Sequence, residues 1–224
     1  VDASAGAGYT LVSTTQNFAY GKVIGTNSVA SRGTVILDGG SLVDDDFRKM
    51  YQGNIGTLTM RDQTTVMVTL AGGAVASGLD QLQLGGGNDR VNVTDFAKEL
   101  TIRGAAGNDI VFTSFAALSS LTFEGGDGID ILQLEDAEAR SITSLSGNFE
   151  ALRLENGNNF VLLDNEASRG GITRIIGGEG SDTLSAINLT TGIDFQVFGD
   201  QLGNANTDAS IQGGSGVDTL SLDF

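Results

Sequence analysis

The sequence contains no cysteine, no histidine, no proline and no tryptophan among its 224 residues. Without cysteine the chain has no disulfide, no thiolate nucleophile and no zinc–sulfur site. Without histidine it has no Ser-His-Asp triad and no HExxH zinc site. No apolar run approaches the roughly 20 residues of a membrane-spanning helix. These absences exclude a histidine base and a cysteine nucleophile, and they predict a chain that does not insert into a membrane.

Basic residues are also scarce, with 12 Lys and Arg against 28 Asp and Glu, which gives a formal net charge of -16. Nucleic acids and anionic membranes both require basic patches, so the charge disfavours these partners. An excess of carboxylates suits a protein that holds cations. The apolar fraction of 40% is that of a folded protein, and acidity alone therefore does not indicate disorder.

Short alternating apolar segments dominate the sequence, and helical periodicity is nearly absent. The segments are rich in Val, Ile, Leu, Phe and Thr and are bounded by Gly, Asn or Asp, which is typical of strands. Only residues 45–52 and 95–99 lack the alternation, and each could form a helical turn. The pattern predicts an all-β fold with strands at segments such as 65–70, 91–93, 110–112, 131–134, 152–154, 161–163 and 195–198.

Five segments share the template Gly-Gly-x-Gly-x-Asp-x-apolar, and the apolar residue is present in every copy. The copies that begin at Gly125, Gly177 and Gly213 match fully, whereas the first two carry Leu84 and Ala105 at glycine positions. A weaker sixth copy ends at Asp80. The five turns are 84–89, 104–109, 125–130, 177–182 and 213–218, and their apolar followers are Val91, Val111, Leu132, Leu184 and Leu220.

This template resembles the nonapeptide of RTX proteins, a calcium-binding repeat of the parallel β-helix. The resemblance implies a parallel β-solenoid with calcium-binding Gly-Asp turns along one edge. The segment Phe149-Glu150-Ala151-Leu152-Arg153-Leu154 is similar to strands of bacterial surface-layer proteins that leave the cell by type I secretion. The family resemblance therefore also implies an extracellular or cell-surface location.

The spacing of the motifs predicts about one calcium turn per coil. Two RTX nonapeptides make a coil of roughly 18 residues, whereas Asp89, Asp109 and Asp130 are 20 and 21 residues apart. The later gaps, 52 residues to Asp182 and a further 36 to Asp218, are read as two to two-and-a-half coils and two coils. Ordinary turns would then occupy the rest of the edge.

Each residue type in the template has a physical role. Glycine permits a sharp turn and a close approach of carbonyl oxygens to an ion, and calcium takes about 6–8 oxygen ligands. One motif per coil would place Asp89, Asp109 and Asp130 in a column with a spacing of about 4.8 Å, and carboxylates at that spacing repel by around 1 kcal/mol even in water. A divalent ion between turns reverses the sign. The residues expected at the Ca²⁺ sites are Gly85, Gly87, Asp89, Gly104, Gly107, Asp109, Gly125, Gly126, Gly128, Asp130, Gly177, Gly178, Gly180, Asp182, Gly213, Gly214, Gly216 and Asp218, with Asp80 as a half-site.

The sequence predicts an RTX-like solenoid over residues 78–224, preceded by a β-rich region, 1–77, that forms either a cap or docking region or the first coils. Three functions stay open: a non-enzymatic calcium-dependent structural protein that polymerises with copies of itself, a non-catalytic module of a larger secreted adhesin or enzyme, and a solenoid enzyme acting on polysaccharide. The first is favoured because no catalytic constellation is evident. A cell-surface polysaccharide is a further candidate partner.

Overall fold

The alternating segments form short strands that stack coil upon coil in a parallel β-solenoid of about seven coils. The computed structural model describes residues 10–14, 32–38, 40–48, 55–61, 64–136, 141–142, 145–163, 171–198, 210–213 and 216–223. The strands in the first half are β1 (Thr10–Thr14), β2 (Gly33–Asp38), β3 (Ile55–Met60), β4 (Met67–Thr69), β5 (Gln81–Gln83), β6 (Arg90–Asn92), β7 (Leu100–Ala106), β8 (Ile110–Thr113) and β9 (Leu121–Asp127). Those that follow are β10 (Ile131–Leu134), β11 (Ser141–Ile142), β12 (Gly147–Asn148), β13 (Ala151–Arg153), β14 (Phe160–Leu162), β15 (Arg174–Ile176), β16 (Thr183–Ser185), β17 (Asp194–Phe198), β18 (Ser210–Gln212) and β19 (Thr219–Asp223).

The strands of the described residues form three sheets, and neighbours in each sheet are parallel. Sheet 1 has the order β1-β2-β3-β5-β7-β9-β12, and sheet 2 has the order β4-β6-β8-β10-β13-β15-β17-β19. Sheet 3, with the order β11-β14-β16-β18, contains strands of the C-terminal half. Strands β1 to β4, which precede residue 78, pair within the same sheets as the later coils.

Because side chains alternate along each strand, one row of side chains in each sheet points into a continuous apolar core. In sheet 2 the inward row includes Val91, Val111 and Leu132, which are all at most 2% exposed. These are the apolar followers of the first three Gly-Asp turns, as the sequence predicts. Leu184 of the fourth turn is also fully buried. Each such side chain contributes on the order of 1.5–3 kcal/mol by burial and anchors its turn to the core.

Within the described ranges, three short helices lie at corners of the coils: α1 (Asp44–Arg48), α2 (Gly72–Ser77) and α3 (Phe115–Leu118). Helix α2 has no side-chain cap of its own, and Asp44 from the preceding coil supplies one. The Asp44 carboxylate accepts the N–H groups of Ala71, Gly73 and Ala74 at 2.7, 2.8 and 3.0 Å. The contact satisfies the exposed amides at a helix start. No helix among the described residues has the length and apolarity to cross a bilayer.

The two helical turns expected from the sequence have different outcomes. Residues 45–48 belong to α1, while 49–52 lie outside the described residues. Residues 95–99 form turns and bends instead of a helix. Helices α2 and α3 connect sheet 2 to sheet 1, at the corner opposite the first three Gly-Asp turns.

The coils are longer than the RTX family implies. Equivalent residues at the corner before sheet 2 are 20, 21, 20, 23 and 25 positions apart in five hydrogen-bonded pairs. The 36 residues between Asp182 and Asp218 therefore span about one and a half coils and not two. This half coil places the two aspartates at different corners.

Candidate functional site

The first three Gly-Asp turns stack at the corner where the chain passes from sheet 1 to sheet 2. Their backbones follow one another closely, since the Gly107 N–H donates to the Asp127 carbonyl at 2.8 Å. Ala105 and Gly126 occupy the same register position, with φ values of 76° and 108°. Glycine reaches this left-handed region without cost, and alanine reaches it at roughly 1–2 kcal/mol. The turn shape is thus kept even where the sequence departs from the template.

The aspartates that end these turns form a column linked by hydrogen bonds. The N–H of Val66 donates to Asp89 Oδ1 at 2.8 Å, and the N–H of Asp89 donates to Asp109 Oδ1 at 2.8 Å. The N–H of Asp109 donates to Asp130 Oδ1 at 2.9 Å. All three aspartates are at most 1% exposed. The column predicted from the 20- and 21-residue spacing is confirmed, and each carboxylate caps the backbone of the coil before it.

The second carboxylate oxygen lies inside its own turn, against the first glycine of the motif. Oδ2 of Asp109 and Oδ2 of Asp130 are buried and have no hydrogen-bond partner. A Cβ on Gly125 would stand 2.1 Å from Asp130 Oδ2. A Cβ on Gly104 would stand 2.2 Å from both Asp109 Oδ2 and the Gly125 carbonyl oxygen. The missing side chains therefore leave a cradle in which a carboxylate oxygen and a carbonyl oxygen of the next coil converge.

Burial dominates the electrostatics of the column. Desolvation raises the pKa of Asp109 to about 7, the hydrogen bond from Asp89 N–H opposes the shift, and the charges of Asp89 and Asp130 add to it. Desolvation also raises the pKa of Asp130, again against a backbone hydrogen bond, and the Glu150 charge contributes. A charged column at neutral pH is therefore unfavourable unless positive charge is supplied.

Glu150 is a fourth member of the column that the motif search does not find. Its Oε2 accepts the N–H of Asp130 at 2.8 Å, as the aspartates do for the coils before them. The preceding residue, Phe149, is fully buried and stacks on Phe123 with ring centroids 5.8 Å apart. The signal that could reveal it is the Phe-Glu-x-Leu-x-Leu segment, where Glu150 stands two residues before the inward-facing Leu152.

The fourth turn differs from the expectation of a single edge. Residues 177–182 connect β15 of sheet 2 to β16 of sheet 3, so Asp182 lies at a second edge. Asp182 is fully buried, and its Oδ1 accepts the N–H of Asn159 at 3.0 Å. Gly177 faces Asp182 Oδ2, with 2.8 Å between that oxygen and the position of a Cβ. The aspartate geometry of the first edge is therefore repeated at the second.

Asn159 ends a further turn, 154–159, that the template misses because Leu154 and Glu155 replace the two opening glycines and asparagine replaces aspartate. Its signal in the sequence is Gly157-Asn158-Asn159-Phe160-Val161, which keeps the glycine and the apolar follower of the motif. Gly178 and Gly180 of the fourth turn lie against the carbonyl oxygens of Glu155 and Gly157. The two turns thus stack as the turns of the first edge do.

The fifth turn returns to the first edge. Asp218 precedes β19 of sheet 2, and its Oδ1 accepts the N–H of Ile193 at 3.0 Å. A Cβ on Gly213 would stand 2.2 Å from Asp218 Oδ2, and Gly216 lies against the backbone of residues 190–192. Gly214 lies outside the described residues. Asp218 is separated from the column by the corners that hold Thr173 and Ile193.

Asp80, the expected half-site, does not join either edge of Gly-Asp turns. It directly precedes β5 of sheet 1, at the corner opposite the column, and forms an ion pair with Arg32. The Arg32 guanidinium supplies the charge that a cation would bring. Asp80 therefore has a structural partner in place.

The chemistry available at the turns is that of oxygen ligands. Among the described residues no group of three or more His, Cys, Asp or Glu side chains converges as a metal site would require. A cation would need backbone carbonyls in addition to one or two carboxylates. Such a donor set suits a hard cation with flexible coordination, and calcium fits it better than zinc or magnesium.

Comparisons of the chain with protein-family models, with curated proteins and with solved structures find no match.

The substitution Asp130→Asn tests whether the column needs charge for a cation. Asparagine keeps an acceptor for the Asp109 N–H but removes a buried charge. Without calcium we expect D130N to gain roughly 1 kcal/mol of stability, since repulsion along the column falls. With calcium we expect it to bind the ion at least tenfold more weakly, or about 1.4 kcal/mol. Thermal melts with chelator and with calcium measure both effects, and D95N at an exposed turn should change neither. If D130N changed the melting temperature equally with chelator and with calcium, the result would contradict a cation at this turn.

A second prediction concerns pH. Because the pKa of Asp109 is raised to about 7 in the folded chain from about 3.9 in the unfolded chain, its contribution to stability is present at pH 4 and is lost as the pH rises through 7. In chelator the melting temperature should therefore fall between pH 5 and pH 8. Calcium affinity should rise over the same interval, since the ion competes with the proton. D109N should flatten both dependences, and a chelated melting temperature that rises with pH would contradict the assignment.

A third prediction uses glycine substitutions. In G125A the new Cβ would stand 2.1 Å from Asp130 Oδ2, so we expect a loss of about 1–3 kcal/mol and weaker calcium binding. The matched control is G72A, because a Cβ on Gly72 meets nothing within 4 Å. Alanine at this helical position should be neutral or stabilising by up to about 1 kcal/mol. Denaturant unfolding measures both variants. If G125A is as stable as G72A, the cradle is not a constraint.

Proposed function

We propose that the chain is a calcium-dependent structural protein of an extracellular assembly, a surface layer or a filament, whose coils are made rigid by Ca²⁺ at the Gly-Asp turns. The observation that carries the proposal is the pair of buried Oδ2 atoms on Asp109 and Asp130 that have no hydrogen-bond partner. Buried polar atoms are nearly always satisfied, and an orphaned carboxylate oxygen is the kind of atom that a bound ion satisfies.

The residues that would hold calcium at the first edge are Asp89, Asp109 and Asp130, together with carbonyl oxygens such as that of Gly125. Calcium supplies two positive charges between carboxylates that otherwise repel one another. Because the ion would join residues of adjacent coils, its binding free energy becomes folding free energy. Sites with few carboxylates are weak, and millimolar calcium outside the cell fills weak sites that cytosolic calcium leaves empty.

The C-terminal face of the described solenoid supports an assembly. Leu220 pairs with Phe195 and so belongs to the inward row of sheet 2, yet half of its surface is exposed. Val217 in the neighbouring turn is 91% exposed. An inward-facing apolar residue is covered when another layer stacks on it, and an uncovered strand edge favours pairing. In the proposed assembly a second copy of the chain would supply such a layer.

The runner-up is a non-catalytic module of a larger secreted adhesin or enzyme, in which further coils of the same polypeptide cover this face. Both functions use calcium for folding outside the cell. They differ in whether the isolated chain polymerises, and polymerisation therefore decides between them. A cell-surface polysaccharide could anchor either form.

The proposal predicts a calcium-dependent change in both fold and assembly. We expect chelator to lower the melting temperature and weaken the β-sheet circular dichroism, and calcium to restore both. Electron microscopy of the purified chain should show ordered filaments or sheets with calcium and none with chelator. Calcium-dependent folding without polymers would favour the module. Identical spectra and melting temperatures with calcium and with chelator would overturn the calcium role itself.

A further inference from the structure

The turn at residues 154–159 has the backbone frame of a calcium turn but ends in asparagine. Gly180 of the next coil lies against the Gly157 carbonyl oxygen, with 2.4 Å from that oxygen to the position of a Cβ. At the first edge Gly128 lies against the Gly107 carbonyl oxygen in the same way, at 1.9 Å. The turn departs from the template at its two opening positions, Leu154 and Glu155, and at its last, where Asn159 replaces the buried aspartate.

The side-chain amide of Asn159 lies among three oxygen acceptors. Its Nδ2 donates to the Glu155 carbonyl at 2.9 Å, to the Gly157 carbonyl at 3.2 Å and to Asp182 Oδ1 at 2.8 Å. The first two acceptors belong to its own turn, and the third belongs to the turn of the next coil. Asn159 is only 6% exposed. Two carbonyl oxygens and one carboxylate oxygen around a single point form a donor set of the kind that calcium takes.

We infer that the Asn159 amide takes the place of a calcium ion between turns 154–159 and 177–182, so that this junction closes without metal. The inference rests on the proposed calcium function, because it identifies one junction between turns that needs no calcium ion. The amide carries two polarised N–H groups and no net charge, and it brings them to the oxygens that would otherwise need a cation. It also joins the two coils, since it donates to both.

The comparison with Asp130 shows why the exchange matters. Asp182 Oδ1 accepts two hydrogen bonds from Asn159, one from its backbone N–H and one from its side chain. Asp130 Oδ1 accepts one, from the Asp109 N–H. At Oδ1 the second-edge junction therefore has one hydrogen-bond donor more than the first-edge junction, and the extra donor is the Asn159 amide. A chain without calcium should keep the second-edge junction closed while the first-edge turns loosen.

The substitution Asn159→Asp tests the inference, with Asn158→Asp as its matched control. Asn158 lies in the same turn and is exposed, and its Oδ1 accepts the N–H of Ser181 at 2.9 Å. Both variants add one negative charge, but only N159D removes the internal amide. Calorimetric titration should give one more calcium ion per chain for N159D than for the wild type, and the wild-type number for N158D. In chelator N159D should melt about 5 °C lower than the wild type, and saturating calcium should restore it.

The variant Asn159→Ala separates loss of the amide from creation of a site. It should show the same loss in chelator as N159D, but calcium should not restore its melting temperature. An unchanged ion number in N159D overturns the inference, as does a chelated melting temperature equal to that of N158D, or an N159D chain that calcium does not rescue. A wild-type chain that binds no calcium refutes the proposed function instead, and the loss in chelator for N159A still tests the role of the amide.

Discussion

The stability of the solenoid depends on a buried carboxylate that accepts a hydrogen bond from the backbone of the preceding coil. Two requirements conflict at each such position. The hydrogen bond favours a charged acceptor, whereas burial disfavours charge. The chain meets the conflict in more than one way: a pKa raised to about 7 lets Asp109 bind a proton near neutrality, and Asn159 replaces the carboxylate by a neutral amide. The proposed cation would be a third solution, and it is the one that can be supplied from outside the molecule.

The glycines follow from the same constraint. Where glycine opens the motif it leaves room for the carboxylate to turn into its own loop, and Gly104, Gly125, Gly177 and Gly213 all face Oδ2 within 2.8 Å of where a Cβ would stand. Leu84 takes the opening position in the first turn. The burial of the carboxylate therefore explains why glycine opens these turns. Charged side chains on the outer faces are in contact with water and need no such cavity. They form exposed ion pairs between coils, such as Arg103 with Glu124, each worth at most about 1 kcal/mol.

Alternation in the sequence predicts the strands, because it is a local signal. The resemblance of the Gly-Asp template to a known repeat implies the parallel solenoid, and the spacing of the template then predicts the Asp89–Asp109–Asp130 column. The sequence does not predict which edge Asp182 occupies, because coil length depends on corner insertions that no template counts. Glu150 and Asn159 are missed because they keep the position of the aspartate without its identity. Helix α2 is missed because its Gly-Gly-Ala-Val-Ala-Ser segment has little periodicity, and its cap, Asp44, comes from the preceding coil.

The hydrogen bonds of the column all point one way along the chain. The backbone N–H belongs to the earlier coil, and the carboxylate that caps it belongs to the coil about 20 residues later. The backbone bonds at the same corner run the other way, since the N–H groups of Ile110 and Ile131 donate to the carbonyls of Asp89 and Asp109. Each junction therefore draws donors and acceptors from both of its coils, and a coil needs a neighbour on each side before its corner is satisfied.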